Sequence, residues 1–313
     1  METIRIEGLQ KPVSNLIQGS DFFTHAVYDK VCDVLDNYFA IGGNTIDTAH
    51  IYCGGQSEET IGKWMKERGN RQDVVILTKG AHHNADGPRV NPEAIRSDLE
   101  KSLERLETDY IDLYGLHRDD ETVPVSVIID ALNEHIQAGR IHAIGASNWT
   151  YQRLQEANDY ARANGLKGFT FSSPNLSLAK PNEPHWKGCV SADAETCQWH
   201  EKTQLPLLSW SSQARGFFTG RYAPDKLDDK EIVRIYYSDA NWERLRRAQE
   251  LAAQKGVTMI QIALAYVLNQ AFPTAALIGA RDMAELTSCR DGARIRLTAE
   301  EMNWLEHVDT VEA

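Results

Sequence analysis

Cysteine is scarce in this chain: 313 residues include five, at positions 32, 53, 189, 197 and 289, with no Cys-x-x-Cys among them. An odd count without that spacing excludes a zinc ribbon or a disulfide scaffold and suits a reducing, cytoplasmic setting. Basic charge is also short. Lys and Arg total 33 against 45 Asp and Glu, a formal net charge of −12, which argues against nucleic acid and anionic membrane surfaces as partners. An anionic ligand must then be drawn by local cations rather than by the overall field. No apolar run is long enough to span a bilayer, and no signal peptide precedes the first structural signals. No linker divides the chain, so residues 1–313 read as one domain, with 42% hydrophobic residues to fill one large core.

What the chain does have is strand alternating with helix from end to end. Residues 1–13 alternate apolar and polar around Gly8, as a small hairpin would. Strand-like runs follow at 16–19, 44–49, 73–79, 110–117, 141–146, 169–174, 205–210 and 274–278. Helical spacing lies between them, as in Val31, Val34, Leu35 and Tyr38, or Val127, Ile128, Ala131 and Leu132. Asn91-Pro92-Glu93 is a strong helix start, with Ile95, Leu99, Leu103 and Leu106 as the buried stripe behind it. Residues 178–204, between the sixth and seventh strands, read as an insertion whose proline-rich opening cannot start a helix and whose place is to shape a substrate pocket. Phe22, Phe23, Tyr236, Tyr237 and Trp242 read as exposed aromatics.

The polar ends of these strands carry the chemistry. Asp47 sits near the end of one, Tyr52 on the loop after it, Lys79 at the end of the next and His117 after the fourth. Ser57-Glu58-Glu59 then opens a helix, a serine cap followed by acids. Singly, each has an ordinary explanation: a turn acid, a snorkelling lysine, a satisfied core histidine. Together they place four reactive groups on the rim where parallel α/β folds do their chemistry. Tyr52 is a slow acid unless a cation lowers its pKa; Lys79 supplies that cation, and Asp47 holds Lys79 charged. His117 would orient the oxygen that takes the proton. His82 and His83 have no third ligand at a diagnostic spacing, so no metal is expected.

These residues stand in longer patterns: G-x-N-x-x-D-T-A-x-x-Y-x-x-G-x-S-E-x-x-x-G at 42–62, I-L-T-K at 76–79, L-H-R-D-D at 116–120 and G-R-I-H-A-I-G-A-S-N-W at 139–149. In them the chain resembles the aldo-keto reductases over nearly its whole length. The resemblance implies an α/β fold, a (β/α)8 TIM barrel with an N-terminal β-hairpin plugging its lower mouth. It implies Tyr52 as general acid, supported by Asp47, Lys79 and His117, in an enzyme that interconverts carbonyls and alcohols with a nicotinamide cofactor.

The resemblance also implies a cofactor site. Ser147 and Asn148 meet the carboxamide, and Ser172 or Ser173 stands nearest to a family glutamine that is missing here. Trp210 replaces the tyrosine on which the ring stacks, while Ser211, Gln213, Arg215 and Gly216 wrap the pyrophosphate. Gly19, Asp47, Gly279, Arg281 and Glu285 complete the set. Arg281 suits a 2′-phosphate, whereas Asp282 and Glu285 oppose one, so NADP(H) is favoured with NAD(H) as the alternative. Asp21, Phe22, His82, Trp149 and Trp186 are candidates for binding a small aldehyde, ketone or sugar. The competing readings are an NAD-linked sugar or polyol dehydrogenase, and a channel β-subunit-like docking protein. The latter carries an N-terminal extension, and this chain begins almost at its first hairpin.

Overall fold

The strands predicted one after another are short, and each needs the next to satisfy its backbone. In the computed structural model, which describes residues 1–308, they solve this by closing into a ring. The chain enters through an antiparallel hairpin of β1 (Thr3–Ile4) and β2 (Val13–Ser14). The barrel strands are β3 (Leu16–Gly19), β4 (Thr45–Asp47), β5 (Val75–Gly80), β6 (Ile111–Leu116), β7 (Ile141–Ser147), β8 (Phe171–Ser173), β9 (Leu207–Ser209) and β10 (Thr274–Ile278). All pair in parallel in chain order, and β10 returns to β3 with Leu277 opposite Ile17. This is a (β/α)8 barrel with a separate N-terminal hairpin.

Inward-facing Ile17, Val75, Leu77, Leu113, Phe171 and Leu208 fill the barrel, and Ile6 and Val13 of the hairpin pack into the same cluster. The hairpin therefore stoppers the lower end. Gly8 makes that contact: its φ is +94°, and a Cβ there would stand 2.8 Å from the carbonyl of His142. Outside the barrel lie α1 (Tyr28–Ala40), α2 (Gln56–Arg68), α3 (Pro92–Arg105), α4 (Val125–Gln137), α5 (Tyr151–Ala163) and α6 (Ala194–Thr203). The crossing from β9 to β10 carries α7 (Lys230–Tyr236), α8 (Asp239–Lys255) and α9 (Met259–Leu268); α10 (Met283–Gly292) and α11 (Ala299–Glu306) follow. Among the described residues, no single helix is long and apolar enough to cross a membrane.

Several local expectations are corrected. The segment between β8 and β9 is not wholly an insertion: it holds α6, the barrel's own sixth helix, capped by Asp193, with residues 174–193 before it and 204–206 after it outside helix and strand. Val127 is exposed, and Val125 and Ile129 take the buried face of α4 instead. Phe23 and Tyr236 are fully buried, so neither is a surface aromatic.

Ser57 is not a helix cap. Gly55, at φ +100°, occupies that position, and the Ser57 hydroxyl pairs with Ser20 Oγ (2.6 Å) and Thr48 Oγ1 (2.8 Å), tying α2 to the ends of β3 and β4. Glu58 is likewise buried, accepting from Thr78 Oγ1 at 2.7 Å and pairing with Arg105 at 3.2 Å. The sequence pattern of a capping turn is in fact a clamp on the barrel rim.

Gly62 explains the last glycine of the 42–62 pattern. A Cβ at this position would meet the carbonyl oxygen of Arg105 at 2.3 Å and the backbone of Leu106 at 2.8 Å, because α2 presses on the end of α3 there. Backbone cannot step aside as a flexible side chain can. Gly62→Ala is expected to destabilise the protein by about 1–3 kcal/mol through overpacking, read as a lower urea midpoint at unchanged slope. A neutral or stabilising effect would contradict the close approach.

Candidate active site

Tyr52, Cys53, Gly54 and Gly55 form a tight turn after β4, with left-handed backbone at Cys53 (φ 51°), Gly54 (φ 66°) and Gly55 (φ 100°). The turn folds Tyr52 back over the barrel mouth. Asp47 closes β4, Lys79 lies in β5 and His117 follows β6, so adjacent strand ends deliver all four to one place. Lys79 Nζ stands 2.5 Å from Asp47 Oδ1 and donates to the carbonyl of Thr48 (2.8 Å) and to the hydroxyl of Tyr52 (3.3 Å). The rings of Tyr52 and His117 meet edge to face, 5.6 Å between centroids.

The electrostatics follow from this packing. Burial opposes the charge on Lys79, yet attraction to Asp47 and Tyr52 outweighs it and holds the ammonium above its usual pKa. Burial pushes Tyr52 up to about 12, with Lys79 pulling the other way. The expectation that Lys79 would bring the phenol below its ordinary value is therefore corrected. Burial of the phenol outweighs the pull of Lys79, and the neighbouring charge of Asp47 opposes that pull further. Burial, then the nearby charges of Lys79 and Arg118, hold His117 well below the usual histidine range, so its ring is neutral.

Above this cluster opens a cavity of about 480 Å³. Of the residues expected at the site, Gly19, Asp21, Asp47, Tyr52, Lys79 and His82 line one side and floor, with His117, Ser147, Asn148, Trp186, Trp210, Ser211 and Gly279 completing the wall. Ser147 donates to the carbonyl of Ser173 (2.8 Å) and accepts from Asn148 Nδ2 (3.0 Å), while Asn148 Oδ1 accepts from Val190 N (3.2 Å). Each of those two oxygens keeps a lone pair for a ligand N–H. Asn148 holds φ at +62° to reach this position, a strained conformation typical of functional sites. The indole of Trp210 has its Nε1 buried without a partner, and His185 packs edge to face against it at 4.9 Å. His185 is itself held by Tyr236 OH at 2.8 Å. The cavity wall thus offers a flat indole face and hydrogen-bond acceptors for an amide, and a Cβ on Gly279 would meet nothing within 4 Å, so the entry beside it is open.

Other expected residues lie outside the cavity. Trp149 is 2% exposed, its indole N–H on the carbonyl of Arg118 and its ring against Phe169; it supports the wall and does not line it. Phe22 packs on Phe23 and under the Arg281 guanidinium, 5.0 Å away. Ser173 turns its hydroxyl to Leu208 O (2.8 Å), so it does not replace a glutamine side chain in the cavity. Gln213 meets the Cys289 thiol. Arg215 and Gly216 form an exposed left-handed turn at φ 52° and 82°, with Arg215 6.0 Å from the Trp186 ring. Glu285 Oε2 accepts from Arg281 N at 2.8 Å, and Asp282 caps Glu285 N at 2.9 Å. Both acids are thus engaged at the start of α10, and among the described residues Arg281 has no carboxylate partner.

Sequence reasoning passed over Ser20, Ile51, His83, Arg118, Cys189, Leu277 and Ile278, all of which line the cavity. Arg118 had a readable signal, as it directly follows His117 at a strand end. Cys189 had none, because only the fold of residues 174–193 brings it there.

Residues 17–310 match the Aldo/keto reductase family. Norsolorinic acid reductase B of Aspergillus parasiticus is 29% identical over 302 residues, 93% of this chain and 77% of that protein. The aldo-keto reductase ausK of Aspergillus calidoustus is 30% identical over 301 residues, 90% and 72% respectively. Among solved structures, the glycerol dehydrogenase of Gluconobacter oxydans superposes with a TM-score of 0.80 at 25% identity, covering 97% of this chain and 93% of that one. A thermostable aldo-keto reductase solved with the inhibitor epalrestat has the same fold, with a TM-score of 0.76, 23% identity, and coverage of 98% and 99%. With that match running from the first barrel strand past the last, the chain belongs to the aldo/keto reductase family, oxidoreductases that act on carbonyls with nicotinamide cofactors.

Proposed function

We propose that the protein is an NADPH-dependent reductase of an aldehyde, ketone or sugar carbonyl, with Tyr52 as proton donor and a cytoplasmic setting. The observation that carries this reading is the convergence of Tyr52, His117 and the Lys79–Asp47 pair on the floor of one cavity. All five cysteines are free thiols, as a reducing compartment requires.

A bound nicotinamide would supply the hydride to the carbonyl carbon. Trp210, Ser147, Asn148 and Ser211 would hold its ring end, and Arg215, Gly216 and Arg281 its phosphates. Arg281 is the residue that supports NADPH over NADH, because its guanidinium has no carboxylate partner among the described residues and its planar fork suits a 2′-phosphate. The remaining chemistry belongs to the chain. The neutral ring of His117 donates an N–H to the carbonyl oxygen and aligns it with the phenol. Tyr52 gives its proton as negative charge grows on that oxygen. Lys79, held charged by Asp47, stabilises the tyrosinate left behind.

Loss of Tyr52 should remove the proton and little else. Tyr52→Phe is expected to lower kcat on the order of 10²- to 10⁴-fold, with NADPH affinity changed by no more than about threefold; Lys79 and Asp47 remain in place. A variant that keeps most of its kcat would remove Tyr52 from the role.

The pH dependence has a definite sign. With its pKa pushed up to about 12, Tyr52 stays protonated throughout the neutral range, so the donor is always loaded for reduction and rarely empty for oxidation. Reduction is expected to stay level between about pH 6 and 9, while alcohol oxidation climbs with pH over the same interval. A reduction rate that halves near pH 7 would contradict this, as would pH-independent oxidation.

A further inference from the structure

Reduction uses two of the charged side chains along the cavity wall, Asp47 and Lys79, and leaves Asp21 and Arg118 without a task. The charged side chains along its wall are Asp21, Asp47, Lys79 and Arg118. Asp47 and Lys79 neutralise each other at 2.5 Å. Asp21 is exposed at the mouth, its carbonyl accepting from the Cys53 thiol. Among the described residues, Arg118 has no carboxylate partner: one Nη donates to the carbonyl of His117 at 2.8 Å, and its Nε is buried with nothing to bond. The acids that follow it are engaged elsewhere, Asp119 with Arg153 at 3.3 Å and Asp120 with Thr122 at 2.6 Å.

The surroundings hold that charge in place. The strap at Gly188 crosses its stem, where a Cβ would lie 3.5 Å from Arg118 Cδ. On the same wall, His82 packs tilted against His83 and edge to face against His117, with centroids 4.1 and 4.8 Å apart. Burial holds His82 below and His117 well below the usual histidine range, and Arg118 carries a fixed positive charge at this end. A half-buried guanidinium with an orphan N–H is costly unless a ligand answers it. Its planar fork matches a carboxylate. Flat surfaces flank the way in, since Trp186 and Trp210 stand 6.2 Å apart, tilted by 35°.

Building on the reductase reading, we propose that the substrate is a planar, aromatic carbonyl compound that also bears a carboxylate. The carboxylate sits on Arg118 and directs the carbonyl to Tyr52 and His117. It makes and breaks no bonds; the reaction remains reduction of the carbonyl to an alcohol.

The test compares benzaldehyde with its 3- and 4-carboxy derivatives, using NADPH, in the wild-type protein and in Arg118→Met and Arg118→Lys. Wild type should prefer one carboxylated aldehyde over benzaldehyde by about tenfold or more in kcat/KM, as a charged hydrogen bond warrants. In Arg118→Met that ratio should fall towards one, through KM rather than kcat, and Arg118→Lys should keep part of it. Quenching of tryptophan fluorescence by the product alcohols, 4-(hydroxymethyl)benzoate against benzyl alcohol, gives a binding readout independent of turnover and should show the same loss. No preference in wild type, or a preference that survives Arg118→Met, overturns the proposal while leaving the reductase reading intact. Binding selectivity without turnover of any aldehyde would do the reverse. A preference for glyceraldehyde 3-phosphate over glyceraldehyde that depends on Arg118, with none for the carboxylated aldehydes, would replace the carboxylate with a phosphate and also overturn it.

Discussion

The site depends on one buried ion pair. Lys79 and Asp47 are each 3–4% exposed and stand 2.5 Å apart at the ends of neighbouring strands. Taking two charges out of water costs several kcal/mol per ion, and their attraction repays it only with good geometry and further hydrogen bonds. Here the ammonium has two more partners, the Thr48 carbonyl and the Tyr52 hydroxyl. A pair of well-packed apolar residues would serve stability at least as well. Its presence beneath a phenol is therefore better explained by the chemistry of that phenol than by the fold.

The barrel exists, in this sense, to hold that pair to within a fraction of an ångström. Parallel register sets Asp47 beside Leu77 and Lys79 beside Gly115. The hydroxyl chain from Thr48 through Ser57 and Ser20 to the carbonyl of Asp47 then fixes the rim of β3 and β4. Glu58, reaching Thr78 from α2, secures β5 one residue before Lys79. Every link is short, buried and polar, the kind of support that positions a reacting group. Tyr52 itself sits on a turn whose three left-handed residues leave little alternative path for the chain.

Most of this was legible in the sequence because strand ends are where periodicity stops and a polar residue begins. Asp47, Lys79 and His117 could be read that way, and so could the alternation that makes a barrel. What could not be read depends on contacts between distant segments. Ser57 and Glu58 have the residue types of a helix start, yet their partners are Ser20, Thr48, Thr78 and Arg105, invisible from local pattern. Tyr236 is placed in the core by His185, whose own burial comes from the folding of residues 174–193. Trp149 has the position of a pocket residue but turns its N–H to the backbone of Arg118, and Arg118 takes the cavity wall instead. The raised pKa of Tyr52 belongs with these, since the burial that outweighs the pull of Lys79 comes from the packed barrel mouth and not from local sequence.

Cofactor choice rests on a similar balance of neighbours. Asp282 and Glu285 keep their charge while accepting backbone N–H groups at the start of α10, and the guanidinium of Arg281, lying over Phe22, has no carboxylate partner among the described residues. The account as a whole requires a nicotinamide ring beside Trp210, so the most direct measurement is a tryptophan-fluorescence titration of the purified protein with NADPH and NADH at two ionic strengths. The account predicts quenching by both, with tighter binding of NADPH that weakens as salt screens Arg281 and Arg215. Tighter binding of NADH would contradict the role of Arg281, and the absence of binding by either nucleotide would contradict the enzymatic account itself.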